Sequence, residues 1–372
     1  MRYYVTLTTD CNLRCEYCYG KCLEDMGAHY PLEVDCEFPS RISYGLEELA
    51  DFLERDPDPV LIFYGGEPLL EAGLVKRMMD SIPASAFIIQ TNGLLLNSLE
   101  REYANRFHTI LVSLDGDEGL TDSYRGAGTY RRVVENVRAL KEGGFKGELI
   151  ARMTVAERTE IYDQVLWLLF NEECPFPAVH WQLDALFGVR DYWRRRFSEW
   201  AERSYNPQIE RLAKFWVDYM EREGHVLRIY PFLGLMRSML RGERAKLRCG
   251  AGWMVFNIRT DGKITPCPVM AGTGPFLGDI RRTDPKELQD AVQVSEPCPS
   301  CDIFGLCGGR CLYANLTKLW GDKGFAEVCG TVRNLVGVLE DLLPRVREMI
   351  ADGIISLDDF EYMECNSCEI IP

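Results

Sequence analysis

The sequence has no apolar run long enough to span a membrane, and residues 1–9 lack the basic stretch, apolar core and small-residue cleavage site of a secretory signal. A cytoplasmic protein without a membrane partner is the expectation. Positive charge is also scarce, with 42 Lys and Arg against 57 Asp and Glu and a net charge of −15. Phosphate backbones reward clustered Lys and Arg, so nucleic acid is excluded as the expected partner while a basic peptide is permitted. Internal repeats and low-complexity runs are missing too. What remains is an ordinary globular composition, 372 residues and 47% hydrophobic, long enough for one large domain and a smaller one.

Cysteine, by contrast, is abundant. A reducing cytosol keeps thiols free and a chain of this size needs no staples, so the 15 cysteines read as metal ligands rather than disulfides. They are clustered: Cys11, Cys15, Cys18 and Cys22 lie near the start, and Cys249, Cys267, Cys298, Cys301, Cys307 and Cys311 lie later, with Cys329 following. Cys36 and Cys174 fall outside these groups and read as ordinary buried thiols. Cys365 and Cys368 close the tail.

The first half alternates β-rich runs with amphipathic helices, the pattern of a parallel sheet made from βα units. Strands are expected at 2–8, 60–64, 87–91, 109–114, 148–155 and 179–184. Helical spacing appears at Leu46, Leu49, Ala50 and Leu53, at Val133, Val134, Val137 and Leu140, and at Ile161, Val165, Leu168 and Leu169. Six units are too few to close an eight-stranded barrel, so the expected α/β fold is a partial (β/α)6 barrel over residues 1–188. A helical bridge over 189–246, a small cysteine-rich domain with a C-terminal helix over 247–350 and a tail over 351–372 complete it.

Side chains alternate along a strand, which assigns faces. Val179, Trp181 and Leu183 suit the helix layer, leaving His180, Gln182 and Asp184 toward the lumen. The same logic turns Thr6, Thr8, Gln90, Asn92, Ser113, Asp115, Arg152 and Thr154 inward. Such a lumen is a binding cavity, or else its polar groups satisfy one another. In the bridge, Trp193, Phe197 and Trp200 form an apolar face, and Arg194, Arg195 and Arg196 read as mostly solvated. The C-terminal helix is expected over 331–350, with Leu335, Val338, Leu339 and Leu342 as its stripe.

Cys11, Cys15 and Cys18 make a C-x3-C-x2-C loop directly after the first strand, three thiolates suited to three corners of a 4Fe-4S cluster. One iron is then left for another ligand. Zinc is the competing reading, with Cys22 as its fourth ligand.

This loop, Cys11-Asn-Leu-Arg-Cys15-Glu-Tyr17-Cys18, resembles the signature of radical S-adenosylmethionine (SAM) enzymes, and Gly65-Gly66-Glu67-Pro68 at the end of the second strand resembles their element for the SAM amino group. By that resemblance the glycines let backbone approach the ligand and Glu67 pairs with its ammonium. Ser113 and Arg125 match residues that contact the SAM carboxylate, polar residues of the same strand, such as Asp115, are implied near the ribose, and Asn92 closes the third strand at the same mouth or caps a helix. The implied chemistry is one-electron cleavage of SAM to a 5′-deoxyadenosyl radical that abstracts hydrogen from substrate, with an external electron donor.

The later cysteines, Cys249-x12-Gly262-x4-Cys267, then Cys298-x2-Cys301-x5-Cys307-x3-Cys311 and Cys329, resemble the SPASM pattern that follows such barrels. It implies two auxiliary clusters, one on Cys298, Cys301, Cys307 and Cys329, the other on Cys249, Cys267 and Cys311 with a position open or closed by a tail cysteine. A zinc ribbon is the bland competitor. SPASM enzymes mostly modify peptides or proteins, so a peptide or protein is the expected substrate, recognised by the barrel mouth, bridge, tail or another chain. A small-molecule substrate and a non-catalytic electron carrier are the alternatives, and Glu67 and Arg125 speak against the carrier. Sulfatase-maturing relatives carry Asp immediately after the cysteine of the G-x4-C element, where this chain has Pro268, so Asp184 becomes the candidate base.

Overall fold

A computed structural model describes residues 1–19, 30–184, 192, 195–364, 366–369 and 371–372. Its strands are β1 Arg2–Thr8, β2 Val60–Gly65, β3 Ala86–Thr91, β4 Phe107–Ser113, β5 Glu148–Val155, β6 Ala178–Leu183, β7 Arg228–Ile229, β8 Val255–Ile258, β9 Lys263–Thr265 and β10 Gly278–Asp279. All six expected strands are present within two residues of their expected ends. β7 to β10 were not anticipated, because runs of two to four residues among Gly, Pro and Cys carry no readable alternation.

The chain forms two compact units, one of described residues 1–19 and 30–152 with 250–293, the other of 153–249 with 294–372. They cut the chain differently from 1–188, 189–246, 247–350 and 351–372. The reason is visible in β8, which pairs in parallel with β1 from Arg2↔Val255 to Val5↔Ile258 and so draws part of the cysteine-rich segment into the first unit.

In that unit the strand order runs β10-β9-β8-β1-β2-β3-β4-β5, parallel from β8 to β5 and antiparallel at the β8–β9–β10 edge. Residues 60–63 of β2 are buried without a break, as expected for strands covered on both faces. Helix α1, Leu46–Leu53, shows how the cover is made. Glu47 and Glu48 occupy its first turn, and Glu48 accepts the Gly45 N–H at 2.7 Å, stabilising the positive end of the helix. Leu49, Phe52 and Leu53 are fully buried on one face, each contributing about 1.5–3 kcal/mol. Further cover comes from α2 Ala72–Ser81, α3 Glu118–Arg125 and α4 Thr129–Glu142.

The second unit holds the end of β5 with β6 and β7, and the helices α5 Ile161–Phe170, α6 Asn206–Glu223, α7 Tyr230–Arg241 and α8 Gly321–Ala351. Trp181 lies in the helix layer as expected, donating its indole N–H to Tyr205 at 2.9 Å and meeting Phe232 edge-on. Helix α8 begins ten residues before the expected start at 331, which places Cys329 on it. Gly324 reads as a helix breaker, yet a Cβ there would stand 2.8 Å from the Tyr192 ring, so the glycine serves close packing. Tyr192 stacks between Trp320 and Phe197.

The tail is docked. Phe360 and Cys368 are fully buried, Phe360 meets Trp216, the Arg237 guanidinium covers the Tyr362 ring and pairs with Glu364 at 2.7 Å, and Asn366 donates to Tyr230 at 3.0 Å. Among the described residues no helix is long and apolar enough to cross a membrane.

Candidate active site

Strand register decides which side chains share the inner face. Thr6 pairs with Tyr64, Gln90 with Leu111 and Ser113 with Arg152, so Thr6, Tyr64, Gln90, Ser113 and Arg152 share one face, as do Tyr4, Ile62, Ile88 and Ile150 one pleat earlier. The face changes from mainly apolar to polar toward the C-terminal ends of the strands, where parallel α/β sheets place their sites. Part of that polarity is internal: Thr6 donates to Asn257 at 2.8 Å and Asn257 to Thr265 at 3.1 Å, a buried chain across β1, β8 and β9. Gln90 differs, since its buried Oε1 has no hydrogen-bond partner. An orphaned acceptor on this face fits a ligand that donates to it.

The cysteine loop sits at the same end and is braced from three strands. Tyr17 donates to Asp115 Oδ2 at 2.6 Å, lies over the Arg125 guanidinium and packs against Tyr124, whose carbonyl accepts the Glu16 N–H at 2.9 Å. Asn92 Nδ2 donates to Asn12 at 2.6 Å and leans on Cys11 Sγ at 3.9 Å. Tyr19 and Tyr64 join hydroxyl to hydroxyl. Neither the Tyr17–Asp115–Arg125 triad nor this tyrosine pair was read from the sequence; the aromatic beside Cys18 was the only signal.

Cys11, Cys15 and Cys18 are free thiols, the first exposed and the others half-buried. Burial pushes the Cys15 thiol up, the nearby Arg125 pulls it back, and Cys18 and Cys11 raise it through their own fields. Cys11 is likewise raised by burial, with Glu67 and Cys18 adding to it. Among the described residues no three His, Cys, Asp or Glu side chains group tightly enough for a single ion. Three thiols in one another's fields, partly open and with a guanidinium beside them, fit three corners of an anionic cluster. Cys22 lies outside the described residues.

The Gly-Gly-Glu-Pro element packs against the cysteine loop. A Cβ on Gly65 would stand 2.3 Å from the Thr8 carbonyl oxygen and one on Gly66 would stand 2.2 Å from that of Asp10. The glycines therefore admit the cysteine loop, and the Gly66 and Glu67 amides donate to Thr8 and Asp10 at 2.8 and 2.9 Å. Glu67 is fully buried, and its carboxylate accepts from the amides of Leu69 and Asn92 and the Thr91 hydroxyl at 2.7–2.9 Å. Burial raises its pKa and these three donors hold it down, with a net upward shift. The side chain caps the turn that Pro68 opens. Glu67→Gln should turn an amide donor toward the Asn92 N–H and destabilise the protein by about 1–3 kcal/mol. An unshifted thermal midpoint would show that the buried carboxylate is dispensable.

Arg125 and Asp115 were expected to face a ligand separately, yet they bind each other. Arg125 donates through Nε and Nη2 to the two Asp115 oxygens at 2.7 and 3.0 Å, with the arginine 6% and the aspartate 0% exposed. Arg125 also sets its charge beside Cys15, while Ser113 ends β4 half-buried and next to Arg152.

In the second unit, Cys298, Cys301, Cys307 and Cys329 are free thiols within one another's fields. Burial first, then Cys329 and Cys307, push the Cys298 thiol up to about 11, against a hydrogen bond from Asn315. Arg310 lies beside Cys307 and Cys329, its buried Nε without a partner, which leaves cationic density for an anionic group. These four fit a fully ligated cluster. Cys249 and Cys311 also belong to this unit and Cys267 to the first; Cys365 lies outside the described residues.

Further corrections concern residues outside these groups. Cys36 is exposed, not buried, and touches the Gly272 carbonyl at 3.6 Å, because residues 35–39 form no regular element. Arg195 is not solvated: it is bridged to Glu157 and Asp184, which holds its pKa up against burial. The same bridge weakens Asp184 as a base, since a proton taken there must displace a guanidinium.

Residues 5–161 match the Radical SAM superfamily. The chain carries a radical SAM domain. It is 22% identical over 338 residues to the cysteine-type anaerobic sulfatase-maturating enzyme of Clostridium novyi, covering 82% of this chain and 85% of that one. It is 30% identical over 172 residues to the pre-heme d1 synthase of Dinoroseobacter shibae, a match spanning 45% of this chain and 39% of the synthase. Among solved structures, native anSMEcpe with bound AdoMet superposes with a TM-score of 0.67 at 19% identity, over 94% of this chain and 99% of that one. SuiB of Streptococcus suis bound to precursor peptide SuiA gives 0.54 at 15% identity, over 83% and 71%.

Proposed function

We propose that this radical SAM enzyme cleaves SAM reductively and uses the resulting 5′-deoxyadenosyl radical to abstract hydrogen from a peptide or protein. The observation that carries the reading is the half-open Cys11–Cys15–Cys18 loop, held at the polar end of the sheet face by Tyr17 and the buried Asp115–Arg125 pair. When bound, the cluster and SAM supply the electron and the radical. The chain's residues supply position: Asp115 fixes Tyr17 and Arg125 together, Arg125 places a permanent positive charge by Cys15, and Gln90 presents an unsatisfied acceptor. A peptide substrate is supported by the sulfatase-maturating relative and by the likeness to SuiB, whose structure holds a precursor peptide. Auxiliary clusters are part of the same reading, one on Cys298, Cys301, Cys307 and Cys329, the other resting on the sequence pattern of Cys249, Cys267 and Cys311.

The substrate should differ from that of the maturating relative, because Pro268 after Cys267 has no proton-accepting group and Asp184 is engaged by Arg195. Anaerobic incubation of the reconstituted, dithionite-reduced protein with SAM and a sulfatase-derived Cys or Ser peptide is expected to give 5′-deoxyadenosine without formylglycine. Absence of SAM cleavage would remove the proposal, and formylglycine in the peptide would overturn the substrate distinction.

A further inference from the structure

Two side chains beside the second cysteine set hydrogen-bond to sulfur in a way that packing alone does not require. Asn315 is fully buried. Its carboxamide is locked by Ser295, Oδ1 accepting the Ser295 amide at 2.7 Å and Nδ2 donating to the Ser295 carbonyl at 2.8 Å. That lock aims the Nδ2 group at Cys298 Sγ, 3.3 Å away. Arg333 is held in a comparable manner at the surface. Asp302 accepts from its Nη1 and Nη2 at 3.0 and 2.6 Å, and Nη2 also reaches Cys301 Sγ at 3.1 Å. Cys301, as a free thiol, donates to Asp302 at 3.4 Å. Once Cys301 is a thiolate that bond is lost, and Arg333 stands as the donor between two anions.

Resting on the reading that Cys298, Cys301, Cys307 and Cys329 hold an iron–sulfur cluster, we propose that Asn315 and Arg333 are positioning residues that set its reduction potential through hydrogen bonds to the sulfurs of Cys298 and Cys301. Reduction adds one electron to an already anionic cluster. Hydrogen bonds and positive charge at its sulfurs favour the more negative state and raise the potential. Each donor is held by a partner, Ser295 or Asp302, so it keeps its direction in both oxidation states.

Arg333 is half-exposed, so Arg333→Gln removes the donor fork and the charge without opening the core. The full-length protein is reconstituted with iron and sulfide, poised at controlled potentials with dithionite and mediators, and read by EPR. The relevant signal is the one that Cys298→Ala/Cys329→Ala removes. Arg333→Gln is expected to retain wild-type iron and sulfide and to need a lower potential for half-reduction, by about 59 mV for about a tenfold change in the one-electron ratio. Asn315→Ala, where it retains iron, should shift in the same direction. An unchanged midpoint in iron-replete Arg333→Gln overturns the inference. A wild-type protein with only about four irons per chain would instead remove the auxiliary-cluster reading on which it rests.

Discussion

Cys15→Ala is expected to reduce 5′-deoxyadenosine formation to the uncatalysed background. Cys15 lies in the field of Arg125 and between the other two thiols in sequence, so its loss leaves two corners for a cluster that needs three. Cys298, Cys301, Cys307 and Cys329 lie in the other unit and keep their ligands, so iron content should fall by only about four atoms per chain. Chromatographic assay of 5′-deoxyadenosine together with iron and sulfide analysis checks both parts. Cleavage at the wild-type rate would refute the assignment of the loop, and loss of all iron would refute the independence of the two sets.

The second large effect belongs to the buried ion pair. Asp115→Ala leaves the Arg125 guanidinium buried, removes the acceptor of the Tyr17 hydroxyl and unfastens the cysteine loop from β4. Breaking a buried pair by deleting one partner costs about 3–5 kcal/mol. For a unit of this size that lowers the thermal midpoint by about 6 °C or more. The double variant Asp115→Leu/Arg125→Met should recover part of the loss, because no buried charge is then unpaired. Additive losses in that cycle would mean the two residues act separately. SAM cleavage should remain low in the double variant even where stability returns, since the charge beside Cys15 is gone.

Much of this is legible in the sequence. Six strands and the three helical spacings tested were readable because long buried runs and 3.6-residue stripes survive in one sequence. The cysteine sets were readable because ligand spacing is local. Partnerships across the sheet were not: Asp115 and Arg125 each looked like a ligand contact, and only the fold brings their side chains together at 2.7 Å. The donors to Glu67 are hidden in the same way, since they come from Leu69, Thr91 and Asn92, two of them on or just after another strand. Asp184 is legible from its strand phase, but no local signal shows that Arg195, eleven residues on, folds back to it. Gln90 was placed on the correct face, but an unpaired acceptor becomes visible only when every neighbour is known.

The pairing of β8 with β1 carries a consequence for how the polypeptide can be divided. β1 is an interior strand because residues 255–258 arrive from far along the chain to satisfy its outer amides and carbonyls. A fragment ending at 249 would expose that edge on a strand whose Tyr3, Val5 and Leu7 are fully buried, a flat apolar border of the kind that recruits other chains. The barrel strands and the cysteine-rich segment are therefore a single folding commitment, and a radical SAM half expressed alone is expected to aggregate before its chemistry can be assayed.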